Sequence, residues 1–205
     1  MLVNARAGSS AVFLDRDGTI NEEVEYLARP EQLILLPTVA DAVRLLNEKG
    51  IRVIVVTNQS GIARGYFSED QLQQIHTILQ QKLAQEGAHI DRFYYCPHHP
   101  DYGEEPYRQN CECRKPHTGM FLQAARDEKL DLSSCYLVGD KVSDLEAARA
   151  AGVKAVLVLT GFGIQTRTLL ERGTIGDISA PVMPDLLTAV QWIVRDCESH
   201  EDPHC

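Results

Sequence analysis

Apolar residues recur along the chain with two alternating periods. Residues 10–14 (S-A-V-F-L) form a short apolar run that stops at Asp15, the pattern of a buried strand opening into a loop. Residues 37–49 carry Val39, Ala42, Val43 and Leu46 at helical spacing, with Gly50 as a stop. Residues 51–56 (I-R-V-I-V-V) are β-branched almost throughout, as in a parallel strand covered on both faces. Ser68 and Gln71 stand at capping-box spacing ahead of Leu72, Ile75, Leu79 and Leu83. Further strands are predicted at 90–95, 136–138 and 154–159. Further helices are predicted over 118–129 and from Ser143, with Glu146 three residues on, to Gly152. Met183 and Pro184 lead into a last helix with Leu186, Leu187, Val190 and Ile193 on one face.

Strands alternating with helices require right-handed crossovers, so the pattern predicts an α/β fold built on a doubly wound parallel sheet. A chain of 205 residues suits one domain, expected over 1–196, with the aperiodic 197–205 as a tail. Hydrophobic residues at 44% and charged residues at 24% exclude the disordered and fibrous classes. A formal net charge of -9 argues against nucleic acid or a membrane surface as partner. No run approaches the roughly 18 apolar residues of a membrane span, and Asp15 interrupts the first apolar stretch before it resembles a secretion signal. A cytoplasmic protein is expected, and a monomer, since no exposed apolar helix demands a partner. In that compartment the six cysteines read as thiols or metal ligands rather than disulfides.

The chemistry gathers at the ends of the predicted strands, where ligands bind in open α/β sheets. Asp15 and Asp17, in F-L-D-R-D-G-T-I-N, are two apart and share one side of the strand end. Side by side they repel unless a cation sits between them, which fits a Mg²⁺ site where one carboxylate attacks and the other moves protons. Thr57 and Asn58 follow the second strand, offering a hydroxyl and backbone amides to phosphate oxygens. Arg114 and Lys115 bring two cations to a helix start. Asp140 ends the fourth strand, suited to the metal, with Lys141 and Asp144 beyond it; Asp144 by itself reads as first-turn helix chemistry. The polar loop 96–113 holds C-P-H-H and C-E-C. Cys96, His98, Cys111 and Cys113 make a closed tetrahedral zinc set, with His99 as the alternative ligand. Zinc there is structural and orients the adjacent Arg114 and Lys115.

The motifs D-x-D-G-T at Asp15, Thr57, Lys115 and G-D-x-x-x-D at Asp140 occur in the order that resembles the haloacid dehalogenase superfamily of phosphatases. The resemblance implies that Asp15 is the nucleophile and that Asp17 is the acid/base. It implies that Asp15, Asp140 and the backbone carbonyl of Asp17 hold Mg²⁺, while Thr57 and Lys115 stabilise the phosphoryl group. Too few residues separate the motifs for a cap domain, so a capless site is expected. T-N-Q-S-G-I-A-R-G, Y-Y-C-P-H-H-P and C-x-C-R-K-P-H narrow the resemblance to the capless zinc-loop branch and, within it, to the heptose bisphosphate phosphatase family. That implies a small sugar bisphosphate as partner, held by Asp15, Arg16, Asp17, the loop Glu23, Val24, Glu25 and Tyr26, Thr57, Asn58, Gln59, Ser60, Arg114, Lys115 and Lys141. The product would be the heptose 1-phosphate used for nucleotide-activated heptose and lipopolysaccharide core synthesis. Histidinol phosphate is the alternative substrate, favoured less because Arg114 suits a second anion. A zinc-stabilised module that binds phospholigands without turnover is the alternative of another class; Asp15 beside Asp17 speaks against it.

Overall fold

The computed structural model describes residues 10–174 and 178–199. Six strands, β1 (Ala11–Leu14), β2 (Arg52–Asn58), β3 (Arg92–Cys96), β4 (Tyr136–Gly139), β5 (Lys154–Val158) and β6 (Val182–Met183), form one sheet. Every pairing is parallel, in the order β3-β2-β1-β4-β5-β6. Six helices connect or cover them: α1 (Val39–Glu48), α2 (Glu69–Gln85), α3 (Gly119–Glu128), α4 (Val142–Ala151), α5 (Gly163–Glu171) and α6 (Leu186–Ser199).

The period of two along the strands sorts the core into two layers. Val12, Leu14, Val53, Val55 and Val138 face α1, α2 and α6, meeting Val43, Leu46, Leu79, Val190 and Ile193. Ala11, Phe13, Ile54, Val56 and Leu137 face α3 and α4, where the Phe13 and Phe121 rings meet edge-on at 4.9 Å. All four residues of β1 are fully buried, as its central position requires. The order reverses between β1 and β4, so the C-terminal ends of these two strands flank the crevice. No cap domain intervenes: residues 21–36 hold only a turn of 3-10 helix at Pro30–Gln32 before α1.

The box at the start of α2 forms as expected, with Ser68 Oγ accepting from Gln71 N at 3.2 Å and Gln71 Oε1 accepting from Ser68 N at 2.8 Å. Four expectations need correction. β3 starts at Arg92 rather than Ile90, because Ile90 is tied through its backbone to the Gln80 amide and Asp91 caps Val53 N at 2.7 Å. α4 starts at Val142, and its first-turn cap is the Asp144 carboxylate accepting from Lys141 N at 3.0 Å, not Ser143 with Glu146. α5 and the two-residue β6 lie where no element is predicted: α5 buries only Gly163 and Thr166, which leaves no apolar stripe to read. The tail expected from 197 is helical as far as Ser199, with Cys197 packed half-buried against the core; residues 200–205 lie outside the described residues. Among the described residues no helix is long and apolar enough to cross a membrane.

Candidate active site

β1 carries Asp15 to the crevice, where its amide donates to Val138 O at 3.0 Å across the strand pair. Its Oδ1 accepts from Lys115 Nζ at 2.8 Å, and its Oδ2 lies 4.0 Å from Lys141 Nζ. Lys115 Nζ also pairs with Asp144 Oδ1 at 2.7 Å and donates to Val56 O at 2.7 Å, so its three protons are all committed. Burial works against the Lys115 charge, but Asp144 and Asp15 outweigh it and hold the ammonium above its ordinary range. The Asn58 side chain clasps the Lys115 backbone, donating to Lys115 O at 2.9 Å and accepting from Lys115 N at 3.0 Å, while the residue also lines the site.

Asp140 comes off β4 fully buried. Carboxylate oxygens of Asp15, Asp140 and Asp144 lie within 4.8 Å of one another. Burial, and then the Asp15 charge, push the Asp140 carboxyl up to about 8. Three converging carboxylates with that much mutual repulsion form a hard-oxygen donor set fit for Mg²⁺. Asp17 contributes differently: its carboxylate turns away from the cluster, while its backbone carbonyl faces Lys141 Nζ at 3.3 Å. A support that no sequence signal singled out comes from residues 160–166. Phe162 N donates to Asp140 Oδ2 at 2.8 Å, Thr166 Oγ1 to Asp140 O at 2.7 Å, and Thr160 Oγ1 to Gly18 O at 2.6 Å. Gly18 at φ +90° and Gly161 at φ +52° lie so close that a Cβ on either would fall 2.3 or 2.2 Å from Asp140 Oδ2.

Two connected hollows open from this centre. A well of about 30 Å³ is lined by Asp15, Thr57, Lys115 and Asp144. An outer pocket of about 290 Å³ is lined by Glu23, Tyr26, Ser60, Arg114 and Phe162, among others. Asp17, Asn58, Lys141 and Ser143 line both, and Asp17 is the one carboxylate among them. Glu23 pairs with Lys141 at 2.6 Å across the pocket mouth. Glu25 and Gln59 also reach the pocket. Two residues expected at the substrate face elsewhere: Val24 packs against the core, and the Arg16 side chain is fully buried and lines neither hollow. Leu27, Gly61, Phe67, Ser143, Asp144 and Phe162 are the wall residues absent from the expected substrate and metal sets. For Asp144 the second carboxylate of G-D-x-x-x-D was the available signal.

The Asp17 carboxylate is enclosed. Oδ1 accepts from Arg16 Nε (3.1 Å), Arg16 Nη2 (2.8 Å) and Asn21 Nδ2 (2.9 Å), and Oδ2 from Arg16 Nη2 (2.8 Å) and Gln59 Nε2 (2.9 Å). Burial raises its pKa, but the Arg16 charge and these hydrogen bonds prevail and keep it below the usual carboxylate range.

At the C-terminal end of β3, Cys96 and the loop that follows it bring Cys96, His98, Cys111 and Cys113 together with ligand atoms within 4.8 Å of one another. Cys96 Sγ lies 3.4 Å from Cys111 Sγ, Cys111 Sγ 3.2 Å from Cys113 Sγ, and His98 Nδ1 3.3 Å from Cys113 Sγ. Sulfurs around one zinc ion stand about 3.8 Å apart, so this cluster is close to the spacing a tetrahedral ion demands. A thiol hydrogen bond from Cys96 holds Cys113 toward the thiolate, the form a metal binds. His98, not His99, turns inward; His99 Nδ1 accepts from Asp101 N at 3.1 Å and its ring packs on Tyr102.

A parallel sheet whose central strand ends in Asp15, with a lysine and two further carboxylates around it, has the layout of haloacid dehalogenase-type phosphohydrolases. A HAD-hydrolase-like family model matches residues 112–189. A D-glycero-beta-D-manno-heptose-1,7-bisphosphate 7-phosphatase of Haemophilus ducreyi is 48% identical over 159 residues, 77% of this chain and 87% of its own length. The enzyme of the same name from Escherichia coli O6:H1 is 41% identical over 186 residues, 90% of this chain and 88% of its own. The crystal structure of D,D-heptose 1,7-bisphosphate phosphatase from B. bronchiseptica, complexed with magnesium and phosphate, matches with a TM-score of 0.81 at 35% identity, covering 91% of this chain and 99% of that one. The chain belongs to the heptose 1,7-bisphosphate 7-phosphatase family of haloacid dehalogenase-type enzymes, and it is a phosphoric monoester hydrolase.

Proposed function

We propose that this enzyme removes the C7 phosphate of D-glycero-β-D-manno-heptose 1,7-bisphosphate, leaving heptose 1-phosphate for nucleotide-activated heptose and lipopolysaccharide core synthesis. The β anomer follows the names of the relatives. The observation that carries the reading is the pair of hollows: a phosphoryl-sized well with Lys115 opens at Asp17 into a pocket with a cation of its own, Arg114, and Lys141 lines both, as two phosphates on one sugar require. A Mg²⁺-dependent enzyme, cytoplasmic and monomeric, is the setting in which this activity fits the charge of -9.

In this reading an Asp15 oxygen attacks phosphorus while Thr57 and Lys115 hold the phosphoryl oxygens. The bond from phosphorus to the C7 oxygen breaks with its electron pair on that oxygen, which takes a proton from Asp17. Because Arg16 keeps that carboxyl ionised in the free enzyme, the proton is one Asp17 has taken from the incoming phosphate monoanion. Water then attacks the aspartyl-phosphate, Asp17 takes the water's proton, and Asp15 leaves as a carboxylate. Asp15, Asp140 and the Asp17 carbonyl would hold Mg²⁺, which neutralises charge on the transferring group when bound. Cys96, His98, Cys111 and Cys113 would hold structural Zn²⁺ and keep Arg114, whose Nη1 lies 3.4 Å from His98 O, at the pocket rim. The test is kcat/KM with Mg²⁺ on both anomers of the bisphosphate and on histidinol phosphate. The expected result is a preference for the β bisphosphate by several powers of ten with the 1-phosphate as product. A preference for histidinol phosphate overturns the substrate assignment.

A further inference from the structure

We infer that Arg16, Asn21 and Gln59 are positioning residues of the reaction, holding the Asp17 carboxyl at the junction of the two hollows where the oxygen between phosphorus and sugar must lie. The inference rests on the phosphatase reading above and adds to it residues that touch neither reacting atom. Asp17 is the one carboxylate lining both the phosphoryl well and the outer pocket. A proton donor acting on a departing alkoxide has to hold that place to within a fraction of an ångström. A free carboxylate on a two-torsion side chain does not. Here five hydrogen-bond contacts from three side chains fix both oxygens.

The enclosure is linked to the phosphoryl well by one residue. Gln59 Nε2 lies 2.9 Å from Asp17 Oδ2 and 2.9 Å from Thr57 Oγ1, while its Oε1 accepts from Arg16 Nη2 at 3.2 Å. The hydroxyl that faces the phosphoryl group and the carboxyl that faces the leaving group therefore share one support. Stability alone does not account for it. Arg16 is fully buried with Nη1 lacking a protein partner, and the buried Asn21 Oδ1 lacks one as well. A buried guanidinium with an unpaired donor is a poor substitute for an apolar side chain in a core. Positioning of Asp17 explains why a charged residue occupies the site.

The leaving group separates this role from general damage to the fold. A phenol of low pKa departs without a proton, and one of high pKa needs it. Single-turnover release of phenol is measured with Mg²⁺ on p-nitrophenyl phosphate and on phenyl phosphate, for the wild type and for Arg16→Met, Arg16→Lys and Asn21→Ala. For Arg16→Met and Asn21→Ala, release from phenyl phosphate is expected to fall about 10- to 100-fold. Release from p-nitrophenyl phosphate should change by less than about threefold, with Arg16→Lys recovering part of the loss. Asn21→Ala keeps the test alive if Arg16→Met does not fold. Equal losses on both esters, or no loss on either, overturn the inference. A wild type that releases neither phenol counts against the phosphatase reading instead.

Discussion

Two clusters in this molecule gather groups able to hold a cation, and they are assembled in different ways. The carboxylates Asp15, Asp140 and Asp144 stand on the ends of buried strands and the first turn of α4. Their mutual repulsion is offset by Lys115 at 2.8 and 2.7 Å and by the nearby Lys141. The Cys96, His98, Cys111 and Cys113 cluster takes one ligand, Cys96, from the last residue of β3 and the other three from the polar loop beyond it, so three of its four ligands have no strand to hold them. In the first, the fold holds the ligands and the cation would serve the chemistry. In the second, the cation would hold the fold of the loop. A site on rigid strand ends tolerates loss of a ligand charge, whereas a site that closes a loop does not.

The largest effect tests the first half of this contrast. Asp15→Asn should lower turnover by about 10⁴-fold or more, since it removes the attacking group. The same change takes one negative charge out of a crowded buried cluster, so the melting temperature is expected to hold or rise. A kinetic assay beside thermal denaturation checks both. Turnover near wild type would remove Asp15 from the nucleophile's role, and a collapsed fold would show that the cluster is structural after all.

Cys111→Ser should give the reverse pattern. Elemental analysis should show the loss of stoichiometric zinc, and the melting temperature should fall. The activity loss should be selective, because the two cations after the loop are anchored differently. Arg114 hangs from His98 O at 3.4 Å, inside the metal cluster. Lys115 is held independently by Asn58, Val56 O and Asp144. kcat/KM for the sugar bisphosphate is therefore expected to drop about 10- to 100-fold, chiefly through KM, with p-nitrophenyl phosphate affected less. An equal loss on both substrates would mean that the loop supports Lys115 too.

The contrast also explains what the sequence could disclose. Strands β1, β2, β4 and β5 and the helices facing the core were legible because burial on two faces imposes β-branched runs and regular apolar spacing. The carboxylates and Lys115 were legible because strand ends place them, and the convergence of Cys96, His98, Cys111 and Cys113 because thiols and imidazole at close spacing have few other uses. The segment 160–166 was not. Its work is done by a backbone amide and one hydroxyl on Asp140, a second hydroxyl on Gly18 O and the missing Cβ of Gly161, none of which leaves a distinctive sequence signature. Asp144 was visible but ambiguous. It caps α4 through Lys141 N and pairs with Lys115 through its other oxygen, so the bland and the functional readings both hold. Arg16 misled by position: flanked by two site residues, it spends its guanidinium on the Asp17 carboxylate and Gln59 and lines neither hollow.

If the metal is what closes the loop, the remaining ties should be minor, and the strongest of them can be cut. Glu69, in the first turn of α2, accepts from Tyr107 Oη at 2.7 Å and from Tyr95 Oη at 2.5 Å, joining the loop and β3 to the helix. These hydrogen bonds, Tyr95 first, hold the Glu69 carboxyl below its ordinary range. The folded state therefore binds its proton less readily than the unfolded chain does. The contribution is present above the ordinary carboxylate range and fades as pH falls through it. Glu69→Gln keeps the shape and loses the charge, and it should cost about 1 kcal/mol at neutral pH and flatten the acid side of the stability curve. Zinc content should not change. A loss of stability as large as that of Cys111→Ser would put the tyrosine latch, and not the metal, in charge of the loop.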